Sequence, residues 1–357
     1  MDKLWWMHIT KAHKFLTDIV NTAVGERSII LSLPENVPWR NTLVELVEDS
    51  LRKEDANRAF EEIACPDGDV GLFLLDKFCK QEIRATYRYG MSYASFLGKC
   101  DDTVLNNRYL WIRDIPENKY SEWVDFIVEY NKNVKGRKPA VFILETYGDY
   151  FANKEKKGIK KILFNQNIDE YDKFAFCALA ATENSCKEYM RPYLAEMVSI
   201  ICSEDIELCA ECVAAGNKFL NNPVEVLDSI IETGWRSDGS NYSFSKTDDE
   251  IKNEMWESQV KTVFPVIEKF RSDFIKTYYK EIKNGLPITN AFNESIDCPE
   301  DVELGTLVLM AGLGAIHVTE NDYNNLVTFR NARNTLAHLG VLDFNTVDTL
   351  LRKKHYL

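Results

Sequence analysis

Four short apolar runs in the first half of the chain, each set between amphipathic stretches, constrain the fold more than any other feature. They are Ser28-Ile29-Ile30-Leu31-Ser32-Leu33, stopped by Pro34; Tyr109-Leu110-Trp111-Ile112; Ala140-Val141-Phe142-Ile143-Leu144-Glu145; and Lys161-Ile162-Leu163-Phe164. Continuous apolar runs this short suit strands buried on both faces, which is how the strands of a parallel sheet read. Between them the spacing turns helical. Residues 1–26 carry Ile9, Ala12, Phe15, Leu16, Ile19, Val20 and Ala23 on one face, with Gly25 as a stop. Further helices are expected from Trp39 to Arg52 and from Val70 to Tyr89, with Tyr93, Phe96 and Leu97 behind. Another is expected from Ser121 to Asn131, opened by half a capping box because Val124 stands where Glu is usual. Strands alternating with helices imply a parallel α/β sheet.

From Glu170 onward the pattern is helical throughout. Phe176, Leu179, Leu194, Met197, Ile201, Leu208, Val213, Phe219 and Ile230 carry the apolar faces. Residues 234–250 are rich in Gly, Ser, Asn and Asp and read as a linker. A long helix follows from Ile251 to Lys283, which Pro265 should kink or restart. Two more are expected over 300–318 and 320–339, and a last one from Asn345 to Lys354. The expected class is therefore α/β plus all-α. A parallel-sheet domain occupies residues 1–169, a helical lid or connector 170–233, and a C-terminal helical bundle 251–357.

Composition narrows the function. The 357 residues suggest about two domains at roughly 150 residues each. With 56 acidic against 43 basic residues the formal net charge is -13, a field that repels polyanions at long range. Non-specific DNA binding is disfavoured, while a local basic site stays open. The nine cysteines have no framework spacing. Trp5 and Trp6 are followed by His8, Lys11, His13 and Lys14, too polar for the core of a signal peptide. No apolar run approaches the roughly 18 residues of a membrane helix. A reduced, cytoplasmic protein with free thiols and no membrane association is expected.

The segment leaving the first strand is Leu33-Pro34-Glu35-Asn36-Val37-Pro38-Trp39-Arg40. The order of strands and helices around it resembles AAA-type P-loop NTPases, in which this loop cradles phosphate. The resemblance covers roughly 25–230 and is degenerate. The loop has no glycine and no lysine, its two prolines remove N–H donors, and Glu35 would repel phosphate. Gly98-Lys99 is followed by Cys100 where a Ser or Thr would hold magnesium. Glu145 sits where the acidic end of a Walker B strand would be, but reads more readily as a strand-end acid at a solvated edge. The resemblance implies a sheet that holds partners and no cofactor.

Near the end of the chain, Arg333-Asn334-Thr335-Leu336-Ala337-His338 spells Arg-Asn-x-x-x-His on a helix. This resembles the HEPN superfamily, all-helical domains that include metal-independent RNA endonucleases of toxin–antitoxin and phage-defence systems. The resemblance covers roughly 251–357. It implies that Arg333 neutralises phosphate charge, that His338 acts as general acid/base, and that Asn334 orients His338 or a phosphate oxygen. It also implies two motifs facing each other across a dimer. Guanidinium suits phosphate geometry, and imidazole titrates near neutrality. Helix geometry adds a condition: Arg333 and His338 lie roughly 140° apart around one helix, so convergence needs a bend, a helix end or a second subunit. Arg330, Asn334 and His338 share a face at i, i+4 and i+8, and also read as a polar packing stripe.

Other signals read as structure. Cys209-Ala210-Glu211-Cys212 lacks a second ligand pair, with Cys186 and Cys202 at no fitting spacing, and reads as buried helical thiols. Asp101-Asp102 and Asp248-Asp249-Glu250 read as solvated acids. Tyr87, Tyr89, Tyr93 and Phe96, interleaved with Arg84 and Arg88, read as helix packing. Glu303 reads as stabilising the start of an apolar helix, and alternatively as orienting Arg333. Two functions remain: a metal-independent endoribonuclease of defence or toxin type, acting on RNA as a homodimer, and a non-enzymatic adaptor in a larger phage-defence assembly.

Overall fold

A computed structural model describes residues 1–88, 90–100, 105–134, 138–148, 157–164, 169–202, 205–289, 293 and 295–354. The Asp101-Asp102 pair and Tyr89 lie outside these residues. The chain divides into two compact units, Met1–Asp172 and Lys173–Leu357. Among the described residues no helix is long and apolar enough to cross a membrane.

The first unit is an α/β layer structure. In chain order it holds α1 (Asp2–His8), α2 (Thr10–Val24), β1 (Ser28–Leu33), α3 (Arg40–Glu54), β2 (Ala59–Ala64), α4 (Val70–Phe78), α5 (Gln81–Arg84), α6 (Tyr93–Lys99), β3 (Arg108–Arg113), α7 (Glu117–Asn133), β4 (Val141–Tyr147) and β5 (Ile159–Leu163). The sheet is parallel with strand order β2-β3-β4-β1-β5. Every residue of β1 is buried, as a strand covered on both faces requires. Against the sheet packs the apolar face of α7, with Phe126 and Tyr130 edge-on to Phe142 of β4 at 6.0 and 5.7 Å.

Four local readings need correction. The expected helix from Val70 to Tyr89 is two short helices, α4 and α5, broken at Cys79, whose φ -108 and ψ 132 are extended. The amphipathic stretch over residues 1–26 is two helices, broken at Ile9, whose φ -87 and ψ 122 are extended. The break lets Trp5 and Trp6 bury completely, with Trp6 against Phe15 and Phe164 at 6.2 and 6.0 Å. Ser121 lies inside α7 and opens nothing, because the helix starts just after Pro116. Strand β2, Ala59-Phe60-Glu61-Glu62-Ile63-Ala64, gave no apolar signal because it is an edge strand with acids. Those acids are used: Glu61 pairs with Lys77 and Arg108 at 2.8 and 3.0 Å, and Glu62 with Arg40 at 2.6 Å.

β1 and β4 are neighbours in the sheet, and the strands that follow them in the chain, β2 and β5, lie at its opposite edges. In open α/β sheets the crevice at the carboxyl ends of such strands is where ligands bind. Close to that end of the sheet lies a buried hydrogen-bond network centred on Glu145. Glu145 at the end of β4 is fully buried, which overturns its reading as a solvated edge acid. Arg40, at the first turn of α3, donates from Nε to one carboxylate oxygen at 2.7 Å and from its terminal nitrogen to the other at 2.5 Å. The Trp111 indole and the Tyr147 hydroxyl donate at 2.5 Å each. Burial works against the Arg40 charge, but Glu145 and Glu62 outweigh it and hold the guanidinium above its ordinary range. Burial first, and then the Glu145 charge, pushes Tyr147 up, so its hydroxyl keeps the proton it donates.

The second unit is helical apart from a two-stranded hairpin. α8 (Glu170–Thr182) begins at the end of the first unit. Then come α9 (Arg191–Ile201), α10 (Ile206–Ala215), α11 (Asn217–Asn221), α12 (Pro223–Thr233), α13 (Asp248–Thr262), α14 (Phe264–Thr277), α15 (Tyr279–Asn284), the hairpin β6 (Ile288–Thr289) with β7 (Ser295–Ile296), α16 (Leu304–Gly312), α17 (Glu320–Ala337) and α18 (Phe344–Lys354). The expected long helix over 251–283 is three, restarted at Phe264 with Pro265 in its first turn. Residues 234–247 are no free linker. Arg236 is buried against Asp205 and Glu207, and Ser237 donates to Glu207 from its amide at 2.8 Å and its hydroxyl at 2.7 Å. Composition marked this segment as a loop, and the buried cation that anchors it left no periodic trace.

Replacing Arg40 by Met leaves the Glu145 carboxylate buried without its cation. A loss of about 3 kcal/mol of unfolding free energy is expected in urea titrations, as for other broken buried pairs. Partial recovery is expected in Arg40→Met/Glu145→Gln. A parent-like midpoint for Arg40→Met would show that the crevice network does not hold the sheet together.

Candidate functional site

Helix α17 carries the three candidate residues, and its placement follows from its sequence. Thr319 caps its start by accepting from the Asp322 amide at 3.1 Å, and the Tyr278 hydroxyl donates to the Asp322 carboxylate at 2.7 Å. Leu326, Phe329, Ala332 and Leu336 form the buried face. Phe329 stacks on Phe270 of α14 with ring centroids 3.9 Å apart. At the far end the Trp256 indole donates to the Leu336 carbonyl at 2.8 Å, satisfying one of the carbonyls a helix end leaves open. The buried Gln259 side chain exchanges two hydrogen bonds with the Leu342 backbone, at 3.0 and 2.8 Å, and so clamps the turn that follows.

With that face inward, the motif residues point elsewhere. Arg333 keeps 34% of its side-chain surface exposed and donates to Glu303 at 2.9 Å and, more weakly, to the Asn334 amide oxygen at 3.4 Å. Glu303 precedes α16 and makes no side-chain cap, so its contact with Arg333 is the one it uses. Together they border a small cavity of about 270 Å³ with Glu268, Arg271, Glu300, Asp301 and Leu304. Arg271 is tied down there by Glu268 at 2.8 Å and by the carbonyls of Glu300 and Val302. Four carboxylates against two guanidiniums leave this cavity acidic.

His338 terminates α17. Its amide donates to the carbonyls of Asn334 and Thr335 at 3.1 and 3.2 Å. The residue is exposed, and its ring has no hydrogen-bond or ion-pair partner among the described residues. Asn334 is half-buried, and its side chain meets Arg333 and not the imidazole. The structure thus brings Arg333 and Asn334 together and leaves His338 apart, about 7.5 Å further along the helix axis. The exposed ring is also not packed, so the stripe Arg330, Asn334 and His338 does not serve as a packing seam along its whole length. Sequence reasoning passed over the cavity around Arg333, which is assembled from three separate segments and has no signature along the chain.

The cysteines hold a second surprise. Cys177 of α8, Cys202 at the end of α9, and Cys209 and Cys212 of α10 are all buried, and the Cys202 and Cys212 sulfurs stand 3.5 Å apart. The packing of α9 against α10 closes a gap that linear spacing made look too wide. Hydrogen bonds from Cys177 and Cys202 hold the Cys209 thiol below its ordinary range. All nine cysteines are free thiols. Among the described residues no group of three or more His, Cys, Asp or Glu is arranged to hold a metal ion. Tyr87 and Tyr93 stack at 4.8 Å and pack on the core of the first unit.

The chain matches no family model and no curated protein.

The Arg333–Glu303 pair is exposed enough that water screens it. Glu303→Gln should change unfolding free energy by less than about 1 kcal/mol, the range of surface pairs. A larger loss would make Arg333 a structural anchor and not a residue available to ligand.

Proposed function

We propose that the C-terminal helical unit is a metal-independent endoribonuclease of defence or toxin type, its active site completed by a second copy of the chain. One observation carries this reading: Arg333 and His338 both reach solvent on the last turns of α17, and neither is used up in the core. An imidazole at a helix end that does no packing is free for proton transfer. An arginine held by an exposed carboxylate and by a long contact to Asn334 can exchange the carboxylate for a phosphodiester. In the proposed reaction His338 takes the proton of a ribose 2′-hydroxyl. The 2′-oxygen attacks phosphorus, the bond to the 5′-oxygen breaks, and that oxygen leaves with a proton from the opposing motif or from water. Arg333 offsets the charge that builds on the phosphoryl oxygens. The helix geometry that separates the two side chains within one chain is the reason for invoking two copies.

A second reading is an adaptor that binds protein partners. The acidic surroundings of Arg333 and the engagement of Arg40 by Glu145 favour it, since neither welcomes phosphate.

The test is cleavage of single-stranded RNA in excess EDTA. His338→Ala and Arg333→Ala should each lower the rate by about 100-fold or more, as for loss of a general acid/base, with unchanged melting. Mixing the two inactive variants should restore part of the activity. Parent-like cleavage by His338→Ala would remove it as the catalyst. A parent protein that cleaves no RNA at any concentration but is recovered with stable protein partners would leave the adaptor reading.

A further inference from the structure

Immediately beyond His338 the backbone does something that its sequence makes unfavourable. The amide of Leu339 donates to the Leu336 carbonyl at 3.2 Å and that of Gly340 to the Thr335 carbonyl at 2.8 Å, the two bonds of a Schellman helix end. That motif needs a left-handed residue at its first outside position, normally glycine. Here the position is Leu339, with φ 60. The neighbouring glycine is committed elsewhere, because a Cβ on Gly340 would stand 2.8 Å from the Thr335 methyl and 3.0 Å from its carbonyl oxygen. A branched side chain in the left-handed region is strained. The side chain gains little from burial in return, for Leu339 is 71% exposed. An exposed leucine alone says nothing. An exposed leucine held in strained backbone, next to the imidazole of a candidate site, is where strain points to function.

Leu339 forms one wall of an open groove of about 690 Å³. Val341, Met255, Pro223 and Val224 add apolar residues to its lining, and Asn221 and Asn253 are among its polar ones. Its charged groups, Asp249 and Lys252, face each other at 3.8 Å and cancel. An apolar surface with amides and no net charge does not suit a phosphate. It suits an uncharged planar ring with donors and acceptors on its edge, which describes a nucleobase splayed from a single strand. Building on the nuclease reading, we infer that this groove receives a nucleobase of single-stranded RNA adjoining the phosphate presented to His338, with Leu339 as the apolar contact and Asn253 as a reader of the base edge.

The inference makes stability and binding move in opposite directions. Leu339→Gly supplies the residue the helix end calls for, so its melting temperature should equal or exceed the parent's. It also removes the wall of the groove. In a His338→Ala background, which binds without cutting, fluorescein-labelled single-stranded RNA should bind about tenfold more weakly when Leu339→Gly is added, which corresponds to about 1.4 kcal/mol. Leu339→Met should retain the parent's affinity. With His338 intact, Leu339→Gly should raise KM more than it lowers kcat. Unchanged RNA affinity in Leu339→Gly would overturn the inference, as would an absence of RNA binding by the His338→Ala protein. Weakened binding in a protein that never cleaves would sustain the groove and sink the nuclease.

Discussion

A carboxylate sealed at the end of the central strand sets the terms for the whole α/β unit. Glu145 has no contact with water, and an ionised carboxylate can stay there only if hydrogen bonds replace its hydration. Arg40, Trp111 and Tyr147 supply them, and Arg40 also reaches Glu62. One buried charge thereby links β4 to β3, to the edge strand β2 and to the start of α3. The left-handed Trp39, φ 43, immediately precedes Arg40 and shapes the entry to that helix. This joint lies close to the carboxyl end of the sheet, where α/β folds usually take ligands. A phosphate would have to displace the carboxylate that the guanidinium already satisfies.

The chemistry-bearing residues of the second unit obey a different rule. Its helices are held by contacts such as the Phe270–Phe329 stack and the Gln259 clamp on Leu342, all on the inward face of α17 or beyond its end. What remains outward is polar and loosely held: a guanidinium shared between an exposed carboxylate and Asn334, and an imidazole with no hydrogen-bond or ion-pair partner among the described residues. The two side chains are rigidly carried but not converged. A helix that is firm on one side and unfilled on the other suits a surface that must meet something else, whether a strand of RNA or a second protein.

Much of the architecture can be read directly from residue order. The runs beginning at Ser28, Tyr109, Ala140 and Lys161 are strands of one parallel sheet, and the helical pattern after Glu170 is a helical unit with a small hairpin. These are legible because burial on two faces, or on one stripe, imposes a pattern on consecutive residues. The edge strand at Ala59 was not legible, since its acids are satisfied by Lys77, Arg108 and Arg40 from other elements. The break at Ile9 and the anchoring of Arg236 were hidden for the same reason: each answers to burial against residues distant in sequence.

The same division runs through the candidate site. Sequence alone nominated Arg333, Asn334 and His338 as candidates, and it implied that one straight helix would hold the first and last apart. It also showed that the loop after β1 lacks the glycine and lysine of a phosphate loop. Only the folded chain decided that Glu145 is buried and not solvated, that Glu303 turns to Arg333 and not to its own helix, and that Cys202 meets Cys212. It also decided that His338 looks into water beside a strained leucine. Local pattern specifies what a residue is and which way its element repeats. Long-range packing specifies what stands opposite it, and charge, strain and exposure depend on what stands opposite.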